Sequence, residues 1–215
     1  MDNTKYTRFI NKKHKDNKTV SVMELDEITA PVTILFAPNG CGKSTTLAHL
    51  QSQAKAKGIE VVDWKTSQED HKKIIGSPMH TQEKQMEAMS LLLKSEGEGI
   101  SQNMSMWADE DFLPKIWGST DPILILFDET DSGLSYDRML YTLSCLINIC
   151  ANEMARKRDI KMVFSSNSYE MMKAMESEIT QFIWLPTKEV WTPKNYEEFI
   201  KPYQRFYDKH LALLS

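Results

Sequence analysis

A compact, mostly apolar run, Val32-Thr-Ile-Leu-Phe36, leads straight into Ala37-Pro-Asn-Gly40-Cys-Gly42-Lys43-Ser44-Thr45. A helix-favouring stretch from Ser44 to Lys57 follows and is closed by Gly58. The run reads as a buried strand, Pro-Asn-Gly as the turn that stops it, and Gly58 as a helix stop. Strand, glycine-rich turn and helix in this order leave few folds open. Gly40 and Gly42 free the backbone to turn successive N–H groups inward, which makes an anion nest. The helix beginning near Ser44 adds the positive end of its dipole at the same place.

This is the context a phosphate-binding P-loop requires. Lys43 is placed to reach β- and γ-phosphates, and the Ser44 hydroxyl to ligate Mg²⁺. Ala37 stands where the usual pattern begins with glycine, a mild departure because the crowded glycines are those nearest the lysine. A second apolar run, Ile123-Leu-Ile-Leu-Phe127, is the pattern of a strand covered on both faces. It delivers Asp128-Glu129 at its end. Asp128 is placed to hold the Mg²⁺ shell through water opposite Ser44, and Glu129 to polarise an attacking water, the division of labour phosphoryl transfer needs.

Around these motifs, strand and helix patterns alternate. Ile59 to Trp64, Ile160 to Phe164 and Gln181 to Leu185 read as further strands. Thr81 to Lys94 and Tyr136 to Arg158 read as helices, the latter with Met139, Leu143, Leu146, Cys150 and Met154 on one stripe. The first 19 residues read as a basic edge strand or loose arm, and 17–26 as an edge strand. The tail repeats Tyr196, Phe199, Tyr203, Phe206 and His210 at helical steps, and Pro202 is expected to kink or split that helix. The economical fold is a single α/β domain over 1–215 with a mainly parallel sheet and flanking helices. Residues 65–121 form its helical insert and 190–215 its helical tail. Such sheets bind ligands at the carboxyl ends of their strands, where both motifs fall.

Composition excludes other classes. A net charge of −4 argues against a strongly basic nucleic-acid module, although the basic arm leaves local nucleic-acid contact open. No apolar run approaches the roughly 18 residues that span a bilayer, and the polar N-terminus does not read as a secretory signal. Three cysteines make no disulfide framework and suit a reducing, cytoplasmic setting. Cys145 and Cys150 read as helix core. The thirteen methionines read as core filler. Trp107, Phe112 and Trp117, among acids, read as a small satellite core or a docking knob. The five histidines show no zinc-ligand spacing.

Gly40-Cys-Gly-Lys-Ser-Thr-Thr-Leu47, taken with Ile123-Leu-Ile-Leu-Phe-Asp-Glu-Thr-Asp-Ser-Gly-Leu-Ser135, resembles the ABC-type ATPases. In shape the chain is similar to their small stand-alone members, over roughly Val32 to Leu185. The resemblance implies a P-loop NTPase fold with a reduced helical subdomain, and ATP and Mg²⁺ as ligands. It implies that Asn39, Gly40, Cys41, Gly42, Lys43, Ser44 and Thr45 bind the phosphates and Mg²⁺. It makes Gln68 a candidate for the glutamine that contacts metal and attacking water. It implies that Asp131 acts across an interface between two copies, which close head to tail over ATP. Asn167, in Val163-Phe-Ser-Ser-Asn167-Ser168, stands in the place of the family's switch histidine. It can hydrogen-bond a γ-phosphate but cannot carry a proton. The signature turn is eroded: Ser105 keeps the serine and suits the usual separation from Asp128, whereas His80-Thr-Gln-Glu83 keeps the acid before a helix. Neither has the signature glycine, and no aromatic residue upstream is in place to stack on adenine.

The expected activity is Mg²⁺-dependent ATP hydrolysis, with Lys43, Glu129 and Asn167 as catalytic residues, coupled to dimerisation or to remodelling of a protein partner. The eroded signature and Asn167 favour, as the runner-up, a switch that binds nucleotide and hydrolyses it poorly. A transporter motor is a weaker reading, because little chain separates Lys43 from the Gln68 region. A P-loop kinase is weaker still, because the acids and the segment after them suit water activation.

Overall fold

Strands built from Val, Ile, Leu and Phe with little alternation must be covered on both faces, and this requirement organises the molecule. The computed structural model describes residues 5–9, 17–65, 104–129, 135–156 and 158–211. Its main sheet holds β3 (Val32–Phe36), β4 (Glu60–Lys65), β5 (Ile123–Asp128), β6 (Ile160–Ser166), β7 (Thr180–Trp184) and β8 (Glu189–Val190). The strand order is β4-β5-β6-β3-β7-β8, parallel throughout except for β8, which runs antiparallel to β7. The chain is thus an α/β fold with a mostly parallel six-stranded sheet. Between β6 and β7 it passes over β3, so β3 lies at the crevice where such sheets take ligands.

The period-2 alternation of strand side chains divides the core in two. Leu35, Ala37, Leu124, Leu126, Val163 and Ile183 face α1 (Lys43–Ala56), where Leu47, Leu50 and Ala54 meet them. Ile34, Phe36, Ile125, Phe127, Met162 and Phe164 face the other way. There they pack with Met139, Leu143, Leu146 and Cys150 of the helix Tyr136–Ala155 and with Phe199 and Tyr203 of the helix Tyr196–Leu211. Phe127 and Phe164 stack at 4.4 Å, and Phe36 meets the edges of Trp191 and Phe199 at 5.6 and 5.5 Å. The tail is therefore part of the core. Its helix runs through Pro202 as one element; the expected split does not occur, because Phe199 and Tyr203 on either side are anchored to the same cluster.

Three other expectations need correction. The edge strand expected over 17–26 ends at Ser21. β2 (Asn17–Ser21) pairs with β1 (Lys5–Phe9) in a separate antiparallel sheet. Leu25–Glu27 instead forms a 3₁₀ turn fastened to α1, with the Leu25 amide donating to Gln53 Oε1 at 2.7 Å and Glu24 meeting His49 Nε2 at 3.2 Å. Trp107 and Phe112 join the main core rather than a satellite, with Trp107 Nε1 donating to the Asp63 carbonyl at 3.1 Å. Trp117 stands out, 64% exposed. Cys145 is exposed while Cys150 is buried, because a five-residue step turns about 140° around a helix.

The segment Ala108–Phe112 is π-helical and runs into a short helix, Leu113–Gly118. Arg158 ties that helix to the sheet. Its guanidinium donates to the carbonyls of Asp121 at 3.0 Å, of Lys115 at 3.2 Å and of Ile116. Among the described residues no helix is long and apolar enough to cross a membrane. The helix expected over Thr81 to Lys94 lies outside the described residues.

Candidate functional site

The carboxyl ends of β3, β6 and β5 are neighbours, and each delivers polar residues to the α1 side of the sheet. From β3 comes the glycine-rich loop. Gly40 and Gly42 have φ of +81° and +93°, the left-handed region where a β-carbon is costly. The Cys41 amide closes the turn on the Pro38 carbonyl at 3.2 Å. Gly42 caps α1 and brings no side-chain oxygen to the helix start, where the first amides have no partner within the helix. Asn39 and Gly40 are exposed, Cys41 and Thr45 half-buried, and Ser44 exposed on the first turn.

Lys43 is only 5% exposed, yet it carries a charge that must be paired or solvated. Its Nζ donates to the Ala37 carbonyl and to Asn167 Oδ1, both at 2.8 Å, with Asn39 Oδ1 at 3.5 Å. Asn167 Nδ2 in turn donates to Asn39 Oδ1 at 2.8 Å. The lysine is thus held by neutral oxygens, and its charge is not cancelled by these partners. Asn167 follows β6 directly, so a residue distant in sequence closes over the loop from the adjacent strand.

The carboxylate pair stands at the end of β5. Asp128 is half-buried and Glu129 exposed. Glu129 has φ of +55°, unusual for a residue with a side chain. The buried hydroxyl of Ser165 on β6 bridges the two: it donates to Asp128 Oδ1 at 2.6 Å and accepts from the Glu129 amide at 3.0 Å. The expected residues Lys43, Asn39 and Asn167 therefore meet directly, and Asp128 and Glu129 are joined to the same strand. Ser105 is exposed on the helical turn 104–107. Gln68, His80 and Asp131 lie outside the described residues. Neither motif points to Ser165; its signal in the sequence is a serine two positions before Asn167, at the end of a strand whose middle, Met162-Val-Phe164, is apolar.

The residues present fit a triphosphate. Two left-handed glycines, a helix start without a capping side chain and a buried lysine at the mouth of the loop together favour an anion. For Mg²⁺ they fit a cation held by one hydroxyl, phosphate oxygens and water, with Ser44 and Asp128 as the protein groups. Among the described residues no cluster of three His, Cys, Asp or Glu side chains forms a protein cage for a metal. A hollow of about 100 Å³ at the opposite end of the sheet, lined by Lys57, Pro122, Asp159 and Lys161, is no rival. Its lysines are already engaged, Lys57 with Asp26 at 2.7 Å and Lys161 with the Ile28 carbonyl at 2.7 Å.

Compared with protein-family models and with curated proteins, the chain matches none.

Proposed function

We propose that this chain binds ATP·Mg²⁺ in the loop 37–45 and hydrolyses it, as an ATPase of the ABC type with a P-loop NTPase fold. The observation that carries the reading is the meeting of a buried lysine, two left-handed glycines and a carboxylate pair at the ends of three adjacent strands. In this reading the amides of the loop and of the first turn of α1 cradle the phosphates. Lys43 leaves the carboxamide of Asn167 for the terminal phosphate. Ser44 and Asp128 would hold Mg²⁺, whose chemistry when bound is to neutralise charge on the phosphate oxygens. Glu129 orients a water for in-line attack and accepts its proton. Asn167, freed of Lys43, offers its amide N–H groups to the terminal phosphate.

Two copies closing head to tail, with Ser105 and Asp131 reaching the other copy's nucleotide, would complete the site; that step rests on the family resemblance. Steady-state phosphate release across a range of protein concentrations tests the whole. Turnover that rises faster than linearly with protein and vanishes in Glu129→Gln is expected, together with loss of nucleotide affinity in Lys43→Ala. Unchanged affinity in Lys43→Ala sinks the reading.

A second reading, a switch that binds nucleotide and turns it over poorly, is favoured by Asn167 itself. Its carboxamide cannot titrate, and its Oδ1 accepts from Lys43 Nζ at 2.8 Å. Multiple-turnover hydrolysis that depends on Glu129 rules this out.

A further inference from the structure

Ser165 touches both members of the carboxylate pair through its own hydroxyl. It is fully buried near the end of β6, one step beyond the pairing of Phe164 with Phe127 of β5. Alternation along β6 sends Val163 and Ser165 to the α1 face, and alternation along β5 sends Leu126 and Asp128 to the same face. The hydroxyl and the carboxylate therefore meet across adjacent strands at 2.6 Å, a length typical of an O–H donor to a charged oxygen. With its proton committed to Asp128, the same oxygen accepts from the Glu129 amide at 3.0 Å. A hydroxyl has one proton and two lone pairs, so a single group serves both roles at once.

The second bond matters because of the backbone. At φ of +55°, Glu129 occupies a conformation that persists only where the surroundings impose it. That conformation decides where the Glu129 carboxylate goes after the strand ends.

We propose that Ser165 is the positioning residue of the site: it orients Asp128 toward the metal and holds the left-handed turn that aims Glu129 at the attacking water. The inference rests on the reading of the site as an ATPase. In this role Ser165 acts through the two acids it bonds. Asn167, two positions on, lies on the same face and holds Lys43, so one strand end supports both the acids and the lysine. Ser166, between them, points to the opposite face beside Phe164, and its Oγ accepts from the Ser168 amide at 3.0 Å.

The test compares Ser165→Ala, Ser165→Thr and Ser165→Cys with Ser166→Ala, which removes a buried serine hydroxyl from the other face. Each is assayed for ATP affinity without metal, for the Mg²⁺ concentration giving half-maximal turnover, and for kcat, with melting temperature as the check on folding. Loss of a residue that orients metal-site ligands typically costs 10–100-fold. Ser165→Ala is therefore expected to lower kcat by 10–100-fold and to raise the Mg²⁺ requirement, with metal-free ATP affinity within about twofold of wild type. Ser165→Thr, which keeps the hydroxyl, recovers more of kcat than Ser165→Cys, a weak donor. Ser166→Ala stays within a few-fold of wild type in both quantities. A Ser165→Ala protein that folds and keeps wild-type kcat and Mg²⁺ requirement overturns the proposal and leaves the ATPase reading intact. A wild-type chain that neither binds nor hydrolyses ATP overturns both.

Discussion

Replacing Asn167 by alanine and, separately, by aspartate pulls the unliganded protein and its nucleotide affinity in directions the geometry specifies. Lys43 Nζ donates to the Ala37 carbonyl and to Asn167 Oδ1, both at 2.8 Å, and Asn167 Nδ2 donates to Asn39. A hydrogen bond to a charged group is worth about 1.5–3 kcal/mol when buried. Asn167 is itself exposed, so water replaces part of what alanine removes, and about 1–2 kcal/mol is the net expectation. For a chain of this length that lowers Tm by about 3–6 °C. Aspartate instead sets a carboxylate against the ammonium. The pair is half in solvent and gains on the order of 1 kcal/mol or less, so Tm holds or rises. The same carboxylate competes with the nucleotide for Lys43 and repels its phosphates. About 1.4 kcal/mol of such competition is tenfold in Kd, and ATP binding to Asn167→Asp is expected to weaken by at least that factor. Scanning calorimetry and titration calorimetry with ATP read both quantities on the same samples. An alanine variant melting within 1 °C of wild type, together with an aspartate variant of unchanged ATP affinity, refutes the claim that Asn167 and the nucleotide share Lys43.

Three further outcomes follow from other parts of the fold. Arg158→Ala removes a buried guanidinium that serves three carbonyls, and is expected to cost about 2–4 kcal/mol; Arg158→Lys recovers little, since one ammonium cannot span the same fork. Urea unfolding measures both, and a lysine variant as stable as wild type refutes it. Gly42→Ala forces a β-carbon onto φ of +93°, which costs roughly 1–2 kcal/mol and disturbs the cradle, so Tm and ATP affinity fall together; a variant that binds ATP normally contradicts the role given to this turn. Burial pushes the Cys150 thiol up to about 12 from 9.0. The folded state keeps the neutral thiol, so this contribution to stability is whole below pH 9 and is lost as pH rises toward 12. Stability between pH 9 and 11 should fall less steeply in Cys150→Ala than in wild type. At pH 7.5 iodoacetamide should label Cys145 and spare Cys150 in the folded protein.

Much of the scaffold was legible because it depends on local patterns. Val32–Phe36 and Ile123–Asp128 are apolar runs too short for a helix and bounded by turn chemistry, and both are parallel strands. The helix Tyr136–Ala155 follows its stripe of Met139, Leu143, Leu146 and Cys150. Legibility failed where distant partners decide. The alternation over 17–26 could not announce that Leu25 would be drawn to Gln53 of α1. Pro202 argues locally for a break, but contacts of Phe199 and Tyr203 with the sheet keep one helix.

The candidate site divides the same way. Gly40, Gly42, Lys43, Ser44 and the acids at 128 and 129 can be found from residue order alone, because an anion nest needs its glycines, lysine and helix start in consecutive positions. Which strand stands between the loop and the acids is not written in either motif. It follows from the order β5-β6-β3, which is set by how the whole sheet buries its faces. Only that order lets Asn167 reach Lys43 and Ser165 reach both acids, since hydrogen bonds between residues far apart in sequence require strands adjacent in space.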